Sequence, residues 1–86
     1  MPRRYERGER IMEIYIVTIF DYRKCGTTLV GAYSTHANAH TAMDGAMAAG
    51  YGQSEYTDWD TDWESGQWRY FYAGYTAQID RIILDE

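Results

Sequence analysis

The sequence predicts an α+β two-layer sandwich of order β-β-α-β-β-β, in which one mainly antiparallel sheet carries one helix packed on a face. Three observations predict it. Residues 12–20 and 27–33 are rich in β-branched and aromatic side chains and flank a polar turn, the pattern of a hairpin. Residues 36–49 are Ala-rich with apolar positions three and four apart, the period of a helix. Residues 55–64 read E-Y-T-D-W-D-T-D-W-E, and this alternation belongs to a strand, whose successive side chains point to opposite faces. Elements in this order pack best as one helix on one face of one sheet.

Residues 1–11 have no hydrophobic period and contain the only Pro, and the first ten carry four Arg against two Glu. They read as a flexible basic arm, leaving residues 12–86 as a single α+β domain. In M-E-I-Y-I-V-T-I-F, Ile14, Ile16 and Phe20 share one face and Tyr15, Val17 and Ile19 the other. Apolar residues on both faces suit a central strand. Asp21 to Gly26 turns the chain, and Thr27 to Tyr33 returns it.

Ser34 or Thr35 supplies a hydroxyl to cap the helix. Its predicted buried stripe is Ala39, Ala42, Met43, Ala46 and Ala49 or Gly50, small enough for close approach to a sheet, and Gly50 and Gly52 are candidate stops. His36, His40 and Asp44 read as an exposed face of the same helix. In the last part, Ser65-Gly66 taken as a two-residue turn pairs Trp63 with Trp68, Thr61 with Tyr70 and Trp59 with Tyr72 on one side. The other side then receives Asp62 opposite Arg69, Asp60 opposite Phe71 and Asp58 opposite Ala73. Gly74 to Thr76 breaks the run, and Ala77 to Leu84 is the last strand.

At 86 residues the chain makes one domain with an expected radius of gyration of roughly 12 Å and little room for a deep catalytic pocket. Hydrophobic residues at 45%, with nine Tyr and three Trp, place it in the globular class. The single Cys25 forms no internal disulfide, and no apolar run reaches the roughly 20 residues of a membrane span, so a cytoplasmic location is expected.

The net charge of −5 is regional. Residues 55–86 carry eight acids against Arg69 and Arg81, a local charge of −6. Such a body repels DNA and anionic lipid and attracts a basic surface on another protein.

Known chemistries fit poorly. D-W-D-T-D opens like a calcium loop, but Trp63 stands where Gly is required and Arg69 where a bidentate Glu is required. His36, His40 and Asp44 have a spacing that could hold zinc, but the set lacks the Glu of H-E-x-x-H and a further His. Cys25 beside Lys24 has no placed base, and no phosphate loop or nucleophile constellation is present. The reading is therefore of a protein that is not an enzyme and needs no metal or cofactor. As a nucleic-acid mimic, an acid every 6.6 Å or so along the strand is sparse beside one charge per roughly 1.7 Å of duplex. Glu55, Asp80, Asp85 and Glu86 would have to lie nearby to strengthen it.

I-Y-I-V-T from Ile14 to Thr18, Asp21-Tyr22, V-G-A-Y-S-T from Val30 to Thr35 and the closing I-I-L-D-E resemble small bacterial and phage-encoded ββαββ domains of unknown function. Those domains share a Y-x-V-T, D-Y, V-G-x-aromatic-S-T pattern. The likeness covers about residues 14–45 and the tail, on turn and cap positions, and implies fold rather than chemistry. The Trp/Asp hairpin lies outside it. In size and charge alone the chain is also similar to phage anti-CRISPR inhibitors.

The expected function is a non-catalytic protein-binding module, a phage or mobile-element inhibitor. It would dock Glu55, Tyr56, Asp58, Asp60, Asp62, Glu64 and Arg69 on a basic, nucleic-acid-binding surface of a host protein. Direct binding of nucleic acid or membrane is not expected. The alternative is a homo-oligomer, such as a homodimer, associating through its aromatic hairpin face or a sheet edge. The face of Trp59, Trp63, Trp68, Tyr70 and Tyr72 reads as core, since a short chain needs large side chains to fill its interior, with a recognition patch as the other option.

Overall fold

Thr35 is extended and accepts a hydrogen bond from the Asn38 amide at 3.1 Å, and Gly52 closes the same helix with φ of 67°, so the caps expected from sequence frame α1 (His36–Tyr51). The computed structural model describes residues 11–85. Before α1 come β1 (Ile11–Asp21) and β2 (Gly26–Tyr33); after it come β3 (Asp58–Asp62), β4 (Gln67–Tyr72) and β5 (Tyr75–Asp85). The strands form one antiparallel sheet in the order β2-β1-β5-β4-β3, with α1 on one face, which is the expected α+β two-layer arrangement. β1 begins at Ile11, and residues 1–10, the rest of the expected arm, lie outside the described residues.

The core forms where α1 covers the sheet. Tyr15, Val17 and Ile19 of β1, Tyr75, Ala77 and Ile79 of β5, and Trp68, Tyr70 and Tyr72 of β4 point toward the helix, which contributes Ala39, Met43 and Met47. The helical stripe is displaced from the expected one. Ala49 and Gly50 are exposed while Met47 is fully buried, because 39, 43 and 47 repeat every four residues and hold one line against the sheet.

The opposite face of the sheet is open. Its cross-strand rows run Ala32–Ile16–Asp80–Gln67–Asp62, then Leu29–Thr18–Gln78–Arg69–Asp60, then Thr27–Phe20–Thr76–Phe71–Asp58. Apolar residues gather at β1 and carboxylates at the β3 edge. β1 and β5 also pair beyond the ends of β2 and β4, through Ile14 with Ile82 and Met12 with Leu84, which stretches the molecule to 49 × 24 × 21 Å. The radius of gyration is accordingly 15.2 Å, above the roughly 12 Å expected for a compact domain of this length.

The hairpin register differs from the expected one by two residues. Asp58 pairs with Phe71, Trp59 with Tyr70, Asp60 with Arg69, Thr61 with Trp68 and Asp62 with Gln67. The connection is the four residues 63–66. A two-residue Ser-Gly turn would require a left-handed Ser65 or a glycine in the first position. The observed loop needs only Gly66 at φ of 72° and satisfies its amides on Asp62: Gly66 N donates to the Asp62 carbonyl at 2.8 Å and Ser65 N to Asp62 Oδ1 at 3.3 Å. A slip of two preserves which face each side chain takes. It also moves the Arg69 partner from Asp62 to Asp60.

Other boundaries shift for local reasons. Glu55 and Tyr56 precede β3, because the chain leaving Gly52 must first cross to the sheet edge, where Thr57 N donates to the Phe71 carbonyl. β5 starts at Tyr75, joined to Tyr72 by the two-residue turn Ala73-Gly74 with Gly74 at φ of 86°. Cys25 is exposed in the first turn, a non-glycine residue at φ of 52°.

Candidate partner-binding edge

Among the described residues, β3 is an edge strand with β4 as its neighbour. Its alternation sets Asp58, Asp60 and Asp62 on the open face of the sheet and Trp59 and Thr61 on the helix side. All three aspartates are exposed. Arg69 Nη2 reaches Asp60 Oδ2 at 2.7 Å, an ion pair about half exposed on both sides and worth at most about 1 kcal/mol. Asp58 Oδ1 accepts from the Trp59 amide at 2.8 Å. The Ser65 hydroxyl and backbone amide, with a smaller contribution from Glu64 N, hold the Asp62 carboxyl below the usual carboxylate range.

The expected site residues therefore separate. Asp58, Asp60, Asp62 and Arg69 share one face; Glu64 is exposed in the turn, and Glu55 is exposed ahead of the strand. Tyr56 is set apart from the acids and lines the same groove as Trp59 and Trp63. It is half-buried, packed 5.0 Å from Tyr70 and 6.1 Å from Tyr72 between ring centroids, with His40 of the helix 6.3 Å away. Of the acids needed to reinforce the ladder, Asp80 lies on the same face, beyond Gln67, with both carboxylate oxygens bonded to Gln78 Nε2 at 2.9 and 3.1 Å. Glu55 is outside the strand, and the side chain of Asp85 and all of Glu86 lie outside the described residues.

The aromatic face divides. Trp68, Tyr70 and Tyr72 are core, but Trp59 is 55% and Trp63 68% exposed, since α1 lies over β2, β1 and β5, reaches β4 only through side chains such as His36 and His40, and leaves the inner side of β3 uncovered. The uncovered strip is a groove of about 280 Å³ walled by Trp59 and Trp63, floored by Trp68, Tyr70 and Tyr56, and closed by His36 and His40. Trp63 stands edge-on to Trp68, 5.4 Å between centroids at 87°. Thr61 Oγ1 is buried beside them and has no hydrogen-bond partner among the described residues.

The two histidines correct the expectation of a plain exposed helix face. His36 packs 4.5 Å from Trp68 and its Nε2 lies 3.4 Å from the Tyr70 hydroxyl; His40 stands 5.2 Å from Tyr70, its Nδ1 3.3 Å from Asp44. Burial, and then the neighbouring His40, lowers the His36 pKa, so this ring is neutral near pH 7. The signal was present in the spacing: 36, 40, 43 and 47 follow the same three- and four-residue period as the buried stripe. Among the described residues, no three His, Cys, Asp or Glu side chains converge as metal ligands, and no helix is long and apolar enough to cross a membrane.

Burial first, and then nearby negative charge and phenols, pushes Tyr70 and Tyr72 up to about 12. A raised phenol favours the neutral form in the fold. The stability this contributes is complete below the unfolded value near 10 and is lost as pH climbs from there toward 12, because the unfolded chain ionises first. Urea midpoints should hold steady to about pH 10 and then fall, and Tyr70→Phe or Tyr72→Phe should flatten the fall measured by circular dichroism.

Comparison with family models, with curated proteins and with solved structures finds no match to this chain.

Proposed function

We propose that this protein is a non-catalytic binding module that docks its β3–β4 hairpin on a basic surface of another protein and covers it, as a phage- or mobile-element-encoded inhibitor would. One observation carries the reading: the free-edge strand exposes three aspartates on one side and two indoles beside it on the other, with one arginine as counterion. Exposed carboxylates speed encounter with a basic partner and select for it, while exposed Trp supplies the buried contact area that holds it.

Replacing Asp58, Asp60 and Asp62 by Asn tests it. None of the three is buried and Asn keeps an acceptor oxygen at the Asp58 and Asp62 bonds, so the domain should stay folded, losing about 1–2 kcal/mol at most with the Asp60–Arg69 pair and the charge at Asp62. Capture of a basic partner from the native host should weaken and lose most of its salt dependence. Retention of the same partners at the same salt by the triple variant would sink the proposal.

Self-association has its own supporting observation. Met12, Ile82, Ile83 and Leu84 are exposed at the far end of β1 and β5, where the two strands pair beyond β2 and β4 with no other neighbour among the described residues. A solution mass that is a multiple of 10.0 kDa would carry that reading.

A further inference from the structure

The backbone directions in the hairpin fix what the β3 edge offers. Tyr72 and Tyr75 close a two-residue turn, so they exchange backbone bonds, and with them Tyr70 and Trp68 turn their amides and carbonyls toward β5. Gln67, Arg69 and Phe71 therefore turn theirs toward β3, where Asp62, Asp60 and Asp58 meet them. Trp59 and Thr61 are left with N–H and C=O pointing to the free edge. The bond from Trp59 N to Asp58 Oδ1 agrees with this, since that amide is met by a side chain.

The edge is regular and its two sides differ. From Asp58 to Asp62 the register has no skip, whereas at the other edge β2 carries a bulge at Val30 that breaks the β1 register. A strand added to β3 would lay alternate side chains beside Asp58, Asp60 and Asp62, and the intervening ones over the groove between Trp59 and Trp63. A second copy of β3 is a poor occupant, because it would set aspartates against aspartates across the pair.

We infer that β3 is extended by an antiparallel strand from the partner, in which Arg or Lys alternates with apolar residues, the basic ones facing the aspartates and the apolar ones filling the aromatic groove. This rests on the function proposed above and gives that partner its chemistry. Main-chain hydrogen bonds to Trp59 and Thr61 provide the pairing, and the alternating side chains provide the choice of sequence.

The test uses the full chain labelled with ¹⁵N and three capped heptapeptides: Arg-Val-Arg-Val-Arg-Val-Arg, the same peptide N-methylated at its Val residues, and the same peptide N-methylated at its Arg residues. In the antiparallel arrangement the residues opposite Trp59 and Thr61 are the Val set, and their N–H groups point at β3. Val methylation should weaken binding by about tenfold or more through loss of those bonds, while Arg methylation should change it by no more than about threefold. The parent peptide should also slow hydrogen exchange at the Trp59 and Thr61 amides.

Equal affinity for all three peptides would overturn strand addition and leave the acidic-face reading standing, provided the Asp→Asn triple variant still weakens them. No binding of the parent peptide up to millimolar concentration overturns the inference, and the host capture experiment then judges the acidic face separately. Protection of the two amides that rises with protein concentration in the absence of peptide would assign the edge to a second copy and overturn it as well.

Discussion

Trp68→Ala should cost about 3–5 kcal/mol, while Trp63→Ala, five residues away in the same hairpin, should cost less than about 1 kcal/mol. Trp68 is 6% exposed beneath α1, packed against His36 and Tyr15, and its removal leaves a cavity that the surrounding core closes only in part. Trp63 is 68% exposed in the turn and loses one edge contact, to Trp68. Small domains hold about 5–15 kcal/mol in all, so the first variant sits near its unfolding threshold and the second is close to the parent. Urea melts of both decide it. Equal midpoints would mean that the two indoles share one environment, contrary to the split between core and groove.

That split marks how far the sequence was legible. Strand and helix positions followed from period and caps: the Ala-rich segment between Thr35 and Gly52 has one helical reading, and D-W-D-T-D has one strand reading with acids on one face. Face assignment survived even though the register was off by two, because the period of a strand is two. The loop length did not follow, since Asp62 capping a four-residue turn competes with a Ser-Gly turn on terms that depend on backbone angles.

What the sequence could not supply is the lateral position of the helix. α1 lies over β2, β1 and β5, on the side of the sheet away from β3, and that distance from β3 comes from β5 inserting between β1 and β4. Only that placement separates Trp59 and Trp63 from Trp68, turns Tyr56 inward, and makes groove walls of His36 and His40. The acids were readable because they answer to local alternation, and the groove was not, because it answers to long-range packing.

The reach of the helix along β5 yields the other large effect. Ile79 is fully buried, paired between Val17 of β1 and Trp68 of β4 on the covered side of the sheet, whereas Ile82, three residues on, is 41% exposed on the open face where β4 no longer runs alongside. Ile79→Ala removes the same atoms as Ile82→Ala, so hydrophobic transfer alone would predict similar losses for equal burial. With the observed burial, Ile79→Ala should cost about 2–5 kcal/mol, including the cavity left among Val17, Trp68 and the helix, and Ile82→Ala about 1 kcal/mol or less. Chemical denaturation of the two variants separates the cases, with hydrogen exchange along β5 as a second readout: Ile79→Ala should raise exchange throughout the sheet, and Ile82→Ala only near the outer end of the β1–β5 pair. If Ile82→Ala proved as costly as Ile79→Ala in dilute solution, the open face would have to be covered there, and a second copy seated on Met12, Ile82 and Leu84 would be the occupant that the exposed residues admit.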